Sequence, residues 1–125
     1  MDNKYNIIHA VDINTGKHIL IDDRDTYINV MYGLINMKKG SRDNLTMDFN
    51  NSTLKLIHVI NILNIKIKET KIKADIRMYS IKTYGTPHQS LRGHYTMTIP
   101  VKSNPMGAIK TELLERLDFN RAIDD

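Results

Sequence analysis

The sequence contains no cysteine, and it has no long uninterrupted run of apolar residues. Without cysteine, the chain can form neither a disulfide framework nor a cysteine-ligated zinc site, and a reducing compartment fits this composition. An apolar run of about 18 residues would be needed to span a membrane. Residues 1–4 are not followed by the apolar segment of a signal peptide. We therefore expect a protein of the cytoplasm or nucleus that enters no membrane.

Sequence motifs for catalysis or metal binding are absent or incomplete. Residues 14–17, NTGK, end like a phosphate-binding loop but lack the glycine five places upstream, so they favour a hairpin turn. Residues 94–96, HYT, form one half of the paired His-x-Thr motif of two-histidine phosphoesterases, whereas residues 9–11, HAV, lack the hydroxyl of the second half. We expect no enzymatic activity, no cofactor and no metal. A small nuclease using His88 and His94 is the catalytic alternative.

The residues that are present describe one folded domain with an uneven charge. Of 125 residues, 41% are hydrophobic, which is enough for a core. Residues 55–102 carry nine Lys or Arg and two acids, a net charge of +7, whereas the rest of the chain has a net charge of −3. A basic segment on a slightly acidic body indicates an anionic partner. Alternatively, the lysines only protect strand edges from aggregation.

Periodicity and turn chemistry predict the elements of the first half of the chain. Asp25 or Thr26 can cap the first helix, Lys38 and Lys39 favour its C-terminus, and Gly40 ends it. The expected elements are a strand over residues 5–13, a turn at 14–16, a strand over 17–22, this helix, and a short strand at 45–49.

The second half is predicted to contain two helices and two long strands. Residues 54–63 are apolar nearly all round and follow the possible caps Asn51 and Ser52, which is typical of a buried helix. Residues 64–72 fit either a helix or an extended stretch. The expected elements after them are strands over 71–78 and 95–101, a helix capped by Asn104 over 104–117, and an acidic tail over 118–125.

These elements predict an α+β fold in a single domain over residues 1–125. A β-hairpin would open the chain, a β-α-β-α-β-β core would occupy residues 18–102, and a helix would close it. The polar stretch 85–93 would project as an arm between the two long strands. Two glycines at the ends of this arm, Gly85 and Gly93, allow the backbone to bend.

The candidate site combines the arm with outward basic residues. Arg92 and His88 could approach phosphates, and rings at the two bases of the arm could stack on nucleobases. The alternative is an ordinary surface loop. The candidate binding residues are Lys55, Arg92, Arg77, Lys73, Lys71, Lys82, His88, Tyr84 and Tyr95.

Lys55 is a candidate because of its expected position at a helix start. Free N–H groups and the partial positive charge of a helix N-terminus, together with the lysine ammonium, would make a phosphate seat. The alternative is a solvent-facing lysine on the only polar stripe of that helix. His58, one turn further on, reads as a core or interface histidine rather than a ligand.

The layout resembles the Alba superfamily of small dimeric DNA- and RNA-binding proteins. "TYINVMYGLINMKKG" is similar to that family's first helix, and "STLKLIHVINIL" is similar to its second helix, whose early lysine contacts nucleic acid and matches Lys55. The resemblance covers about residues 18–102 and implies the protruding arm. The sequence departs from the family pattern at Asn50 and Asn51, where a glycine and a basic residue usually stand, and at both ends. The C-terminal domain of bacterial initiation factor three shares the outline.

The sequence therefore predicts a nucleic-acid-binding protein without catalytic activity, acting as a homodimer or heterodimer on RNA or DNA. A second interpretation comes from the composition, because richness in Ile, Asn and Lys resembles proteins of AT-rich genomes, including phages and mobile elements. A small protein of that origin could block a host defence protein or sequester an anionic nucleotide signal.

Overall fold

The computed structural model describes residues 5–38, 40–68, 71–85, 91–100 and 105–116, with the backbone alone for 91–100. The fold is α+β, as predicted. Its elements are strands β1 (Tyr5–Asp12) and β2 (His18–Ile21), helix α1 (Arg24–Asn36), a short 3₁₀ helix (Ser41–Asn44), strands β3 (Thr46–Phe49), β4 (Ser52–Lys68), β5 (Lys71–Ser80) and β6 (Leu91–Pro100), and helix α2 (Pro105–Arg116).

All the described strands join one antiparallel sheet in the order β2-β1-β4-β5-β6, with β3 paired to the first part of β4. At 17 residues, β4 is the longest strand and pairs with three others. The β1–β2 hairpin is confirmed, and Gly16 has the positive φ of 73° that its turn requires. β1, β3 and β5 are therefore positioned directly along β4, whereas β2 pairs with β1 and β6 pairs with β5.

The two faces of the sheet carry separate hydrophobic clusters. On one face, α2 packs through Ile109 and Leu113 against a cluster that includes Ile7 and Ile60. On the other face, Val30 and Leu34 of α1 pack against the side chains of the same strands that point to that side. We call these the α2 face and the α1 face. Because β4 is covered on both sides along its middle part, seven of the ten residues from Leu54 to Leu63 are apolar.

The predicted helix over residues 54–63 is wrong, because this segment lies in β4. Asn50 and Asn51 have φ values of 49° and 64°, and they form the two-residue connection between Phe49 and Ser52. Positive φ at both central residues is typical of the hairpin turn that matches strand twist. Asn51, one of the two expected caps, therefore forms a hairpin turn with Asn50, and the other, Ser52, begins β4. The Ile- and Val-rich run after them suits a doubly buried strand.

The first helix is confirmed with different ends. Its N-cap is Asp23, whose carboxylate accepts from the Thr26 backbone N–H at 3.0 Å, and not Asp25 or Thr26. It ends at Asn36, before the lysines that were expected in its last turn. The missing positive charge is supplied from outside the helix by the buried side chain of Arg42.

Arg42 ties the end of α1 to the turn after β5. Its guanidinium donates to the carbonyl oxygen of Leu34 at 2.6 Å and to that of Met37 at 3.4 Å. It also donates to the carbonyl oxygen of Tyr84. Unsatisfied carbonyls at a helix end favour a cation, so this arginine joins three chain segments at one point.

The strands predicted over 71–78 and 95–101 and the C-terminal helix are confirmed with shifted ends, and the predicted cap Asn104 lies outside the described residues. Residues 64–68 and 71–72, for which the sequence fits either a helix or an extended stretch, are extended: β4 runs to Lys68 and β5 begins at Lys71. On the sheet side, α2 is further anchored by Lys110, whose Nζ lies 3.3 Å from Asp22 Oδ2. The predicted β-α-β-α-β-β order is not observed, because four strands follow one another between the two helices. The acidic tail lies outside the described residues.

Candidate nucleic-acid interface

Four lysines face one another across the far end of the β4–β5 hairpin. Lys66 pairs with Lys73, and Lys68 pairs with Lys71. All four side chains are exposed. Directly opposite residues of an antiparallel pair have Cβ atoms about 5 Å apart on the same side of the sheet. We call these four residues the lysine ladder.

An irregularity in β4 sets the side on which the ladder lies. The register shifts between Leu63 and Lys66, and Asn64, with φ of 56°, is in the left-handed region. The Asn64 side-chain amide donates to Asp75 Oδ2 at 2.9 Å, which links the bulge to β5. Side chains alternate with a period of two, so an extra residue moves all later ones to the opposite face. The bulge therefore places Lys66 and Lys68 on the face of Lys71 and Lys73.

The same shift places apolar residues behind the ladder. Ile65 packs against the hydrophobic cluster beneath α2, and Ile67 pairs with the buried Ile72. The hairpin end is therefore two-sided, with ammonium groups on the α1 face and aliphatic side chains on the α2 face. This two-sidedness fixes the direction in which the positive charge points.

The ladder belongs to a part of the α1 face that α1 leaves open. The hydroxyl of Tyr27 on α1 approaches Asn61 Oδ1 at 3.4 Å, and Asn61 is paired with Arg77. Arg77 is exposed and lies on the same face as Lys71 and Lys73. Neither of the two described helices covers the sheet beyond this contact on the α1 face, and the ladder side chains are exposed there.

Little negative charge balances this surface within the described part of the chain. Asp75 lies between Lys73 and Arg77 on the same face, and its carboxylate accepts from Asn64. No described carboxylate comes within salt-bridge distance of a ladder lysine. Like charges directly opposite one another destabilise a sheet. Each of the two lysine pairs therefore contributes an unfavourable interaction of this kind to the sheet.

Lys55 does not belong to this surface. It is paired with Val11 and Thr46 in the middle of the sheet and points to the α2 face. Lys55 and Lys66 are also separated by up to about 36 Å along β4. The phosphate seat predicted at a helix N-terminus is wrong, because no helix begins here.

The other predicted site residues are dispersed or only partly described. Lys82 is exposed in the turn after β5, at the opposite end of that strand from the ladder. Tyr84 is half-buried and meets the ring of Tyr79 edge-on, with centroids 5.9 Å apart. Burial and the neighbouring Tyr79 raise the pKa of the Tyr84 hydroxyl. Tyr84 is thus a packing residue here, and its stacking role stays a prediction.

The arm itself is mostly outside the described residues, including His88. Residues 91–93, expected in the arm, belong to β6. Arg92 lies where the β5–β6 register shifts, and Tyr95 is paired with Ile76. Nothing is described of their side chains, so their contacts with nucleic acid stay predictions.

The sequence signal for Lys66 and Lys68 was present but incomplete. Both lysines belong to the basic segment 55–102, and they alternate with Ile65 and Ile67 as residues of an amphipathic strand do. The preceding run, residues 54–63, was predicted to be a helix, however. If that helix continued, Lys66 and Lys68 would not lie on one common face. Only the pairing with β5 shows that they complete a group with Lys71 and Lys73.

A second group, unrelated to the ladder, consists of three buried histidines on the α2 face. His9 Nδ1 lies 2.9 Å from His58 Nδ1, and His9 Nε2 lies 2.8 Å from His18 Nδ1. The rings are stacked, with centroids 5.1 and 5.0 Å apart. We call this group the histidine chain. Because His9 is paired with His58 across β1 and β4, the sheet register creates the first contact.

Burial keeps the central histidine neutral. Desolvation, followed by the neighbouring His58 and His18, lowers the pKa of His9 from 6.5 to about 2. Desolvation also lowers the pKa of His18. A neutral imidazole donates through one ring nitrogen and accepts through the other, so His9 can satisfy both contacts without a charge. The reading of His58 as a core histidine fits this position.

The contacts within the histidine chain are made between ring nitrogens. His9 uses both ring nitrogens toward its neighbours, and the described residues contain no group of three or more potential ligands arranged around one ion.

None of the described helices has the length and apolarity to cross a membrane. No family model, curated protein or solved structure matches this chain.

Proposed function

We propose that the protein binds nucleic acid through phosphate contacts made by the lysine ladder. The observation that carries the proposal is the direct pairing of Lys66 with Lys73 and of Lys68 with Lys71 on one open face. Each pair places two ammonium groups side by side, and a phosphodiester backbone relieves their repulsion. Arg77 extends the positive surface along the same strand.

The arrangement favours recognition of a backbone over recognition of bases. Successive ladder residues on one strand are about 6.7 Å apart because side chains alternate, so the lysines form a regular array rather than a closed pocket. Lysine acts on phosphate as a point charge and carries little sequence information. Binding is therefore governed by charge and shape, with no chemical step.

The dependence on salt gives a quantitative expectation. Neutralising phosphates releases condensed counterions, and the logarithm of the duplex binding constant falls with the logarithm of salt concentration by about 0.9 for each contact. Four ladder contacts correspond to a slope of about −3.6. A smaller anionic ligand would give a shallower dependence, because it has no condensed counterion atmosphere along a polymer.

The test is a titration of labelled duplex DNA and single-stranded RNA, followed by fluorescence anisotropy across a salt series. The double variant Lys66→Thr with Lys73→Thr removes one lysine pair and retains good strand formers. Lys17→Thr, at the β1–β2 turn, is the matched control. We expect the double variant to bind at least tenfold more weakly at low salt, with a duplex slope reduced by about 1.8.

Two results would overturn the proposal. One is wild-type protein that binds neither nucleic acid at low salt. The other is a double variant whose affinity and salt slope equal those of the Lys17→Thr control. Circular dichroism of all three proteins establishes that the sheet is intact, so a loss of binding is not mistaken for a loss of fold.

A further inference from the structure

Charged side chains and one aromatic ring follow one another along the α1 face of strand β5. From the hairpin end inward, alternate positions of the strand hold Lys71, Lys73, Asp75, Arg77 and Tyr79. Tyr79 is on this face because it is paired with Val59, which belongs to the hydrophobic cluster beneath α1. Alternate residues of a strand are about 6.7 Å apart, so Tyr79 lies one such step beyond Arg77. We call these five residues the β5 track.

Tyr79 places an aromatic ring at the inner end of the β5 track. Its side chain is half-buried and meets the ring of Tyr84 edge-on, with centroids 5.9 Å apart and ring planes at 87°. Tyr84 itself packs against the cluster beneath α1, so the ring that holds Tyr79 is anchored in the core. In an edge-on pair, each ring keeps at least one face clear of the other ring. A ring held in this way beside a cation suits the stacking of a nucleobase.

The acid in the β5 track divides its positive charge into two sections. Asp75 lies between Lys73 and Arg77, and its carboxylate accepts from the Asn64 side-chain amide at 2.9 Å. Phosphates are repelled at this point and attracted on both sides of it. Arg77, about 13 Å from Lys73 along the strand, is therefore a separate phosphate contact next to Tyr79.

The surroundings of Arg77 suit a nucleotide whose base is accessible. Arg77 is exposed and is paired with Asn61, whose Oδ1 lies 3.4 Å from the Tyr27 hydroxyl. Amide and guanidinium groups hydrogen-bond to base edges. In a duplex the faces of the bases are covered by neighbouring base pairs, whereas a single strand can present a base to a ring. Cations and a ring along one strand therefore favour a single strand over a duplex.

We propose that the nucleic acid bound by this surface is single-stranded, with its phosphates on the ladder and Arg77 and one base stacked on Tyr79. This inference rests on the proposed function, because it names the class of nucleic acid that the ladder binds. Lysine contacts depend on charge, whereas the contact with Tyr79 depends on the presence of a base. Stacking tolerates every base, so a preference for single strands requires no preferred sequence.

The first test compares four labelled ligands of one length by fluorescence anisotropy at low salt. They are a single-stranded RNA, a single-stranded DNA of the same sequence, the duplex of that DNA with its complement, and an abasic strand with the same number of phosphates. We expect the full chain to bind the tighter of the two base-containing single strands at least tenfold more tightly than the abasic strand. It should also bind that strand more tightly than the duplex.

The second test assigns the base-dependent part of the affinity to Tyr79. Tyr79→Ile removes the ring and keeps a good strand former, and Tyr79→Phe keeps the ring. Tyr5→Ile is the matched control, because Tyr5 lies in β1 and is paired with Ile62 on the α2 face. Tyr79→Ile should bind the base-containing strand about tenfold more weakly than wild type, with unchanged affinity for the abasic strand. Tyr79→Phe and Tyr5→Ile should behave as wild type, and circular dichroism should show an intact sheet in each variant.

The inference is overturned if wild type binds the abasic strand or the duplex as tightly as the base-containing single strands. It is also overturned if Tyr79→Ile binds those strands like wild type. In both cases the ladder proposal still stands when Lys66→Thr with Lys73→Thr weakens duplex binding. If wild type binds none of the four ligands, both proposals are wrong.

Discussion

The Nδ1 atoms of His9 and His58 lie 2.9 Å apart in the buried centre of the sheet. Two like atoms can approach this closely only when one carries a hydrogen and the other does not. A hydrogen bond at this contact therefore requires one Nδ1 to donate and the other to accept. His18 continues the hydrogen-bonded chain from the other side of His9.

The histidine chain makes the fold acid-sensitive. Unfolded His9 takes up a proton near pH 6.5, but folded His9 does so only near pH 2. Between these values the unfolded state binds more protons, so stability rises with pH in this window and is fully retained above about 6.5. We expect the free energy of unfolding to fall by about 1.4 kcal/mol for each pH unit below 6.5, from His9 alone. Urea unfolding between about pH 7.5 and pH 5 measures it.

The variant His9→Gln tests whether His9 causes this pH dependence of stability. Glutamine can donate and accept, so it keeps the possibility of both contacts but cannot be protonated. Its unfolding free energy should depend less steeply on pH than that of wild type, by about one proton. An unchanged slope would show that His9 does not control the acid response.

Replacing Lys55 tests whether nucleic-acid binding depends on the ladder or on the site predicted from the sequence. Lys55→Ala should leave nucleic-acid affinity within about twofold of wild type, because Lys55 points to the α2 face, away from the ladder. Lys71→Ala should weaken binding clearly. Fluorescence anisotropy at one low salt concentration compares the two. Equal losses for both variants would contradict the assignment of binding to the ladder.

The ladder should also cost stability in the absence of a ligand. Lys73→Thr removes the repulsion with Lys66 and adds a good strand former. We expect it to stabilise the free protein by about 0.5 kcal/mol and to weaken nucleic-acid binding. Thermal unfolding at low and high salt measures the first effect, which should shrink as salt screens the lysines. If the variant is less stable than wild type at low salt, Lys66 and Lys73 do not repel each other as proposed.

Arg42 should be one of the positions near α1 at which a substitution lowers the free energy of unfolding most. Arg42→Met removes its buried bonds to the carbonyls of Leu34 and Tyr84 and leaves both acceptors without this donor. We expect a loss of about 3 kcal/mol in unfolding free energy. Arg24→Met, an exposed control at the start of α1, should change stability by less than about 0.5 kcal/mol. Chemical denaturation of both variants provides the comparison, and equal small effects would contradict the role of Arg42.

The sequence predicted much of the local structure because local chemistry decides it. The turn at Gly16, the alternation in β5 and β6, and the helix that begins at Pro105 follow from backbone preferences and period-two or period-3.6 patterns. The error over residues 54–63 has an equally local cause. An apolar run covered on both faces loses the alternation that distinguishes a strand from a buried helix.

The sequence could predict a basic region but not which of its side chains lie on the same surface. The alternation over residues 71–78 predicted a common face for Lys71, Lys73 and Arg77, and β5 has it. The helix expected over residues 54–63 concealed that Lys55 points to the other face, and its part in binding stays a prediction. His58 was expected as a core or interface histidine, but its contact with the other two was not predicted, since His9, His18 and His58 are 9 to 49 positions apart and share no motif.

By itself, the sequence determined an α+β chain with a positively charged middle, since composition, turns and periodicity are properties of neighbouring residues. The tertiary structure decided which side chains meet, through two register shifts along β4. One shift brings His58 opposite His9, and the other brings Lys66 opposite Lys73. A displacement of one residue moves every following side chain to the other face. Such displacements are set by pairing with strands distant in the sequence, and no local pattern contains them.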